Sequence, residues 1–239
     1  MGSPIRYTYG VATVPVQQPL GNFPLPDPFH TSSIDGLDVT SYSNDFFGIG
    51  STTLDWTIVG ASSTFTAIDG VGGLARVTPG AATTATTVYK TGSSFQFVAG
   101  QQMWFLSRFK ASAVAGTVSF YVGLQKGAAV TDGIWFTKPA SSTSLNLVSV
   151  VNSVSTTLVT GITTAAAATF IDVAFQLNTS GDLIVWNNDA VVARVSGATI
   201  GASGTTLTNA LLTPVFQITP TATDTLDIDY VLTAGEVIR

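Results

Sequence analysis

Phe170-Ile-Asp-Val-Ala-Phe-Gln-Leu177 decides the fold class. A strand turns successive side chains to opposite faces, so Ile171, Val173, Phe175 and Leu177 share one face, and Asp172 and Gln176 share the other. The same period of two recurs in Thr117-Val-Ser-Phe-Tyr-Val-Gly-Leu124, which aligns Val118, Phe120, Val122 and Leu124. It recurs again in Thr225-Leu-Asp-Ile-Asp-Tyr-Val-Leu232, which predicts Leu226, Ile228, Tyr230 and Leu232 inside, opposite Asp227 and Asp229. Met103-Trp-Phe-Leu-Ser-Arg-Phe109 is apolar on both parities and reads as a central strand covered on both faces. Asn187-Asn188-Asp189 separates Leu183-Ile-Val-Trp186 from Ala190-Val-Val-Ala-Arg194, the chemistry of a tight hairpin. Further strands are expected over 64–69, 73–78, 84–90, 132–137, 144–151, 154–160 and 212–219.

Helix signals are scarce. Ala165 to Ala168 are good helix formers, but Thr on both sides and the strand that follows limit them to a turn. One short helical turn is expected around 32–42. About a dozen short strands separated by turns make an all-β chain, a two-sheet antiparallel sandwich of the jelly-roll kind.

The composition narrows the function. Only 10% of the 239 residues are charged, against 45% hydrophobic, where an average domain has about 25% charged residues. The surface is therefore built from Ser, Thr, Asn, Gln and backbone. Nine Lys and Arg stand against fourteen acidic residues, for a net charge of −5. Nucleic acid is excluded as a partner, because its affinity comes from cationic contacts to phosphate. Cys is absent, His30 is the only His and Glu236 the only Glu. Disulfides, thiolate metal sites and multi-His centres within one chain are thereby excluded. No metal or other cofactor is expected. The opening residues lack the apolar core of a secretory signal, and no run of about 18 apolar residues predicts a membrane-spanning helix, so no membrane partner is expected.

Residues 1–30 differ from the rest and are expected to form an extended arm, leaving 31–239 as one β-sandwich domain. Six of the ten prolines lie in the arm, at Pro4, Pro15, Pro19, Pro24, Pro26 and Pro28. Proline fixes φ and removes a backbone donor, so Pro24-Leu25-Pro26-Asp27-Pro28 is extended and PPII-like. Large apolar side chains punctuate it. Tyr7, Tyr9, Pro15, Leu20, Phe23, Leu25, Pro26 and Phe29 are the candidate partner-binding residues, chosen for apolar character in a stiffened segment. Fully extended, such an arm reaches on the order of 100 Å.

Catalytic chemistry finds little footing. A Ser–His–Asp triad needs a positioned His, and His30 sits at the end of the arm with no Gly-x-Ser-x-Gly elbow in the chain. Two carboxylates for glycoside hydrolysis have their nearest match in Asp227-x-Asp229, a pair that reads better as a solvated or interface-facing strand surface. Asp35-Gly36, Asp69-Gly70 and Asp132-Gly133 read as turns. Trp56, Trp104, Trp135 and Trp186 are possible sugar platforms, yet each lies in or beside a strand signal and is expected to pack in the core. Asn178-Thr179-Ser180 matches a glycosylation acceptor, a motif common by chance. No catalytic residue is assigned, and the chain is expected not to be an enzyme.

The order of elements resembles a known family. The arm from Arg6-Tyr-Thr-Tyr-Gly10 through Leu20-Gly-Asn-Phe-Pro-Leu-Pro-Asp-Pro28 leads into Asn44-Asp-Phe-Phe47 and Leu54-Asp-Trp-Thr57. Phe95-Gln-Phe97, Met103 to Lys110, Val122-Gly-Leu124, Thr131 to Lys138 and Leu226-Asp-Ile-Asp-Tyr-Val231 follow. Over nearly the whole chain this is similar to tailed-bacteriophage virion proteins with a concanavalin-like or LamG-like jelly roll. The resemblance implies a capsid decoration or cement protein, a homotrimer on the outer capsid surface of the virion, bridging subunits of the major capsid protein. A carbohydrate-binding, lectin-like module of a head fibre or tail spike is the alternative on the same fold.

Overall fold

The computed structural model describes residues 6–8, 11–13, 39–46, 55–70, 73–128, 130–200 and 206–236. Within residues 1–30, β1 (Arg6–Thr8) and β2 (Val11–Thr13) pair antiparallel as a small hairpin. The body comprises β3 (Val39–Asn44), β4 (Trp56–Val59), β5 (Thr64–Ile68), β6 (Leu74–Thr78), β7 (Thr86–Lys90) and β8 (Met103–Ala111). It continues with β9 (Ser119–Gln125), β10 (Gly133–Lys138), β11 (Ser144–Val151), β12 (Val154–Thr164), β13 (Ile171–Leu177), β14 (Leu183–Asn187) and β15 (Ala190–Val195). A single helical turn, α1 (Gly197–Ile200), precedes β16 (Thr213–Thr219) and β17 (Leu226–Glu236).

These strands form two antiparallel sheets. One runs β12-β11-β10-β9-β16-β7-β4, and the other β15-β14-β13-β8-β17-β6-β5, with β3 also paired to β17. The expected all-β sandwich is what the chain adopts. The alternation read from the sequence fills the space between the sheets: Phe120, Val122, Leu124, Val173, Phe175, Leu226 and Ile228 are all buried there. Phe105 stacks on Phe175 at 5.4 Å between ring centroids, and Phe136 meets both from the facing sheet. A second aromatic group closes one end, where Trp56 stacks on Phe216 at 5.2 Å and Phe46 and Phe65 pack around them. Lys138 also points inward. It is fully buried, its ammonium donates to the Val118 carbonyl, and burial pushes its pKa down.

Two expectations need correction. The helical turn expected around 32–42 is a strand where the structure describes it, because Val39–Asn44 pairs with the second half of β17. Long-range pairing overrides a weak local preference. The second correction concerns β17. Ile228 lies opposite Phe109 but Tyr230 lies opposite Arg108, so Asp229 is an extra residue, a β-bulge. One extra residue flips every side chain that follows it. Leu226 and Ile228 face the core, but beyond the bulge it is Val231 and Thr233 that are buried there. Tyr230 and Leu232 lie on the outer face instead, beside Trp104, Leu106, Ala174, Trp186 and Ala234.

The outer face of the seven-stranded sheet is apolar too, with Tyr121 stacked on Trp135 at 4.8 Å and Val148, Val150 and Val215 beside them. Gly123 makes this possible. The Tyr121 hydroxyl donates to Gln125 Oε1 at 2.7 Å, reaching along β9 past the glycine. A Cβ at Gly123 would collide with the Ile134 carbonyl and come within 2.5 Å of Trp135 Cα. Gly123→Val is therefore expected to destabilise the protein by about 3 kcal/mol, measured as a lower denaturation midpoint at unchanged m-value.

Candidate binding site

Charge is concentrated on the outer face of the eight-stranded sheet. Arg76 grips Asp227 with two hydrogen bonds, Nε to Oδ1 at 2.7 Å and Nη2 to Oδ2 at 2.9 Å. That contact raises the Arg76 pKa. Lys110 Nζ approaches the same carboxylate at 3.9 Å. Arg108 lies between Asp229, at 3.3 Å, and Asp172, at 3.8 Å. The Tyr230 hydroxyl donates to Asp172 Oδ1 at 2.8 Å, and burial holds its pKa well above the usual phenol range. Burial also raises the Asp229 pKa, with the Arg108 charge opposing it. Arg108 and Lys110 both sit over the Phe170 ring, at 4.6 and 4.5 Å. Each carboxylate is thus held by a cation or a hydroxyl. The crevice beside Tyr230, Asp172, Trp186 and Asp189 measures about 10 Å³, room for roughly one water.

The larger openings lie where loops meet at one end of the sandwich. Three short segments build the first. The 98–101 turn is closed by Gln101 N–H donating to the Val98 carbonyl at 3.1 Å. The β13–β14 turn is closed by Gly181 N–H on the Asn178 carbonyl at 2.9 Å, and by Asp182 N–H on Asn178 Oδ1 at 2.9 Å. Asp182 in turn accepts from Gly197 N–H at 2.8 Å, tying α1 to that turn. Between them is a cleft of about 220 Å³ lined by Phe97, Leu177, Ile200 and Leu207, with Ala99, Asn178, Ser180 and glycine backbone at positions 100, 181 and 197. Among the described residues no charged side chain lines it. A second cleft of about 360 Å³ shares Val98 with the first and adds Thr40, Ser94, Gln96, Gln101 and Glu236. The Glu236 carboxylate accepts from Gln102 N–H at 2.7 Å and from Gln102 Nε2 at 3.2 Å.

Of the arm residues singled out from the sequence, Tyr7 lies on β1. Tyr9, Pro15, Leu20, Phe23, Leu25, Pro26 and Phe29 lie outside the described residues, as do His30, Asp35 and Gly36. All four tryptophans are buried, but only Trp56 packs in the core between the sheets as expected. Trp104, Trp186 and Trp135 are on the outer faces of the sheets. Asp227 is not a solvated residue: it is 4% exposed and ion-paired. The loop-end clefts went unseen in the sequence. Asn178-Thr-Ser-Gly181 carried the only local signal, and it reads as a turn. Among the described residues no group of three or more His, Cys, Asp or Glu could hold a metal ion. No described helix is long and apolar enough to cross a membrane.

The two antiparallel layers define the class of fold, a two-sheet β-sandwich of the jelly-roll kind. No family model matches the chain, and no curated protein matches it in sequence. Among solved structures it is similar to an endo-1,3-beta-glucanase from Streptomyces sioyaensis, with TM-score 0.60 and 10% identity, covering 83% of this chain and 97% of that one. It is similar to a seed lectin of Lotus tetragonolobus, with TM-score 0.55 and 10% identity over 84% of this chain and 100% of the lectin. A carbohydrate esterase from the Shiga toxin-encoding bacteriophage phi24B matches with TM-score 0.52 and 18% identity, over 84% of this chain and 100% of that one. At these identities the likeness is one of fold.

The ion network makes a separate, testable statement about stability. Arg76→Met strands a nearly buried carboxylate with only Lys110 near it. Breaking a buried pair costs about 3–5 kcal/mol. Because the Arg76 side chain is 40% exposed, a loss of about 2 kcal/mol is expected after allowing for solvent screening. Adding Asp227→Asn to Arg76→Met should recover part of that loss in a double-mutant cycle read by chemical denaturation.

Proposed function

We propose that the chain is a carbohydrate-binding, lectin-like module that holds a neutral sugar in the loop-end cleft. One observation carries this reading: an uncharged cleft of about 220 Å³ with an apolar floor and an amide-and-hydroxyl rim. Pockets for drug-sized ligands run about 300–1,000 Å³, so this one suits a single ring. The C–H face of a pyranose packs on Phe97, Leu177 and Leu207, while its hydroxyls reach Ser180, Asn178 and the glycine main chain. The adjoining cleft, richer in Ser, Thr and Gln, extends the site to a second residue. Binding rather than turnover is the role, because glycoside hydrolysis needs two carboxylates flanking the scissile bond. Among the described residues no carboxylate lines the first cleft and a single one, Glu236, lines the adjoining cleft, while Asp172, Asp227 and Asp229 are engaged elsewhere.

A glycan array of neutral oligosaccharides tests the reading, followed by titration of the best ligand. Ala99 is exposed at the mouth, so Ala99→Trp should block the cleft and weaken binding at least tenfold at unchanged melting temperature. If no neutral glycan binds, or if Ala99→Trp binds as the parent does, the reading fails.

We also propose, as a second reading, the capsid-decoration role that the sequence resemblance implies, on the virion surface and with the major capsid protein as partner. It is favoured by the β1–β2 hairpin, which shows that part of the arm is strand and so suited to extending a sheet of another protein. Deleting residues 2–30 should leave a folded body, by circular dichroism, that no longer co-sediments with capsids. Undiminished occupancy would exclude the arm as the attachment device.

A further inference from the structure

The free edges of the two sheets are not alike. On one side stand β4 and β5, only four and five residues long, the first preceded by Asp55 and the second followed by Asp69. Short strands and nearby charge are the ordinary means by which a sheet edge avoids pairing with another chain. On the opposite side stand β12 and β15, which approach one another across the sandwich. β12 runs for eleven residues, Val-Ser-Thr-Thr-Leu-Val-Thr-Gly-Ile-Thr-Thr, without a charged side chain or a proline. Eight of the eleven are β-branched, the side-chain type that fits a pleated surface best. Among the described residues β12 is paired on one side only, to β11. Val154 at its start is 67% exposed, and Val191 and Val192 on β15 are 45% and 42% exposed.

We propose that β12 is a self-association edge, on which a second copy of this chain adds its own β12 antiparallel about a twofold axis. The pairing uses the regular first half of the strand. Val154–Thr157 sits in unbroken register with β11, and the ladder becomes irregular only beyond it. Nothing on the strand opposes a second copy: β12 has no charged residue to repel its own, and its exposed Val and Thr side chains meet the same side chains across a twofold axis. A twofold contact is isologous, so one strand satisfies both copies at once. It joins the two seven-stranded sheets into one continuous sheet and brings Val154 of each copy out of water. The inference is independent of the sugar site, which lies at the loop end.

The test is the mass of the full chain in solution by analytical ultracentrifugation across a concentration series. The parent should sediment as a dimer, at twice 24.7 kDa. Val154→Lys combined with Thr156→Lys puts two charges on the edge, where both residues are exposed, and should raise the dimer dissociation constant at least 100-fold. Thr64→Lys, on the exposed β5 edge, should leave it unchanged, with circular dichroism confirming that each variant is folded. A parent that is monomeric throughout, an assembly of any other size, or a dimer that survives the two lysines overturns the proposal.

Discussion

Asp229 is one residue more than the ladder beside β8 can accommodate, and much of the eight-stranded sheet follows from that surplus. Before the bulge, Leu226 and Ile228 enter the core while Asp227 turns outward to Arg76 and Lys110. After it, Val231 and Thr233 take over the inner face, and Tyr230, Leu232 and Ala234 join Trp104 and Trp186 outside. The bulge also divides β17 between two neighbours, β6 for residues 226–228 and β3 for residues 231–236. A single local irregularity thereby sets both the apolar cluster and the ion network on one surface.

A chain with so little charge has to satisfy its polar groups in other ways. It does so with side chains bonded to backbone at turns, as in Asn178, Asp182 and Thr208, and by gathering much of its scarce charge into one mutually paired group. Elsewhere charge is sparse and scattered, as at Asp55, Asp69, Lys126 and Asp224. That suits recognition of neutral ligands at the loops and strand-to-strand contact at the edge, both of which depend on hydrogen bonds and shape more than on electrostatic steering.

The sandwich positions these features by its layering. Phe105, Phe136 and Phe175 lock the two sheets together at the centre, so the loops at the end project from a rigid frame. Loops on such a frame commonly carry function because they vary without disturbing the core. The cleft between the 98–101 turn, the β13–β14 turn and α1 is built from such loops, its walls fixed by hydrogen bonds within and between the turns.

The strands of the core were readable residue by residue, since period-two alternation in Thr117–Leu124 and Phe170–Leu177 is a local property of the chain. The hairpin at Asn187–Asp189 was equally plain, for Asn188 and Asp189 adopt the positive φ that its turn chemistry implies. Nothing local marks an unpaired extra residue, so the side-chain reversal after Asp229 emerges only when β8 lies alongside. Nor does sequence reveal that Leu207, Phe97 and Leu177 line one cleft, or that β12 ends a sheet. Those are facts about which segments meet, and the meeting of residues 30 to 110 positions apart is decided by tertiary packing alone.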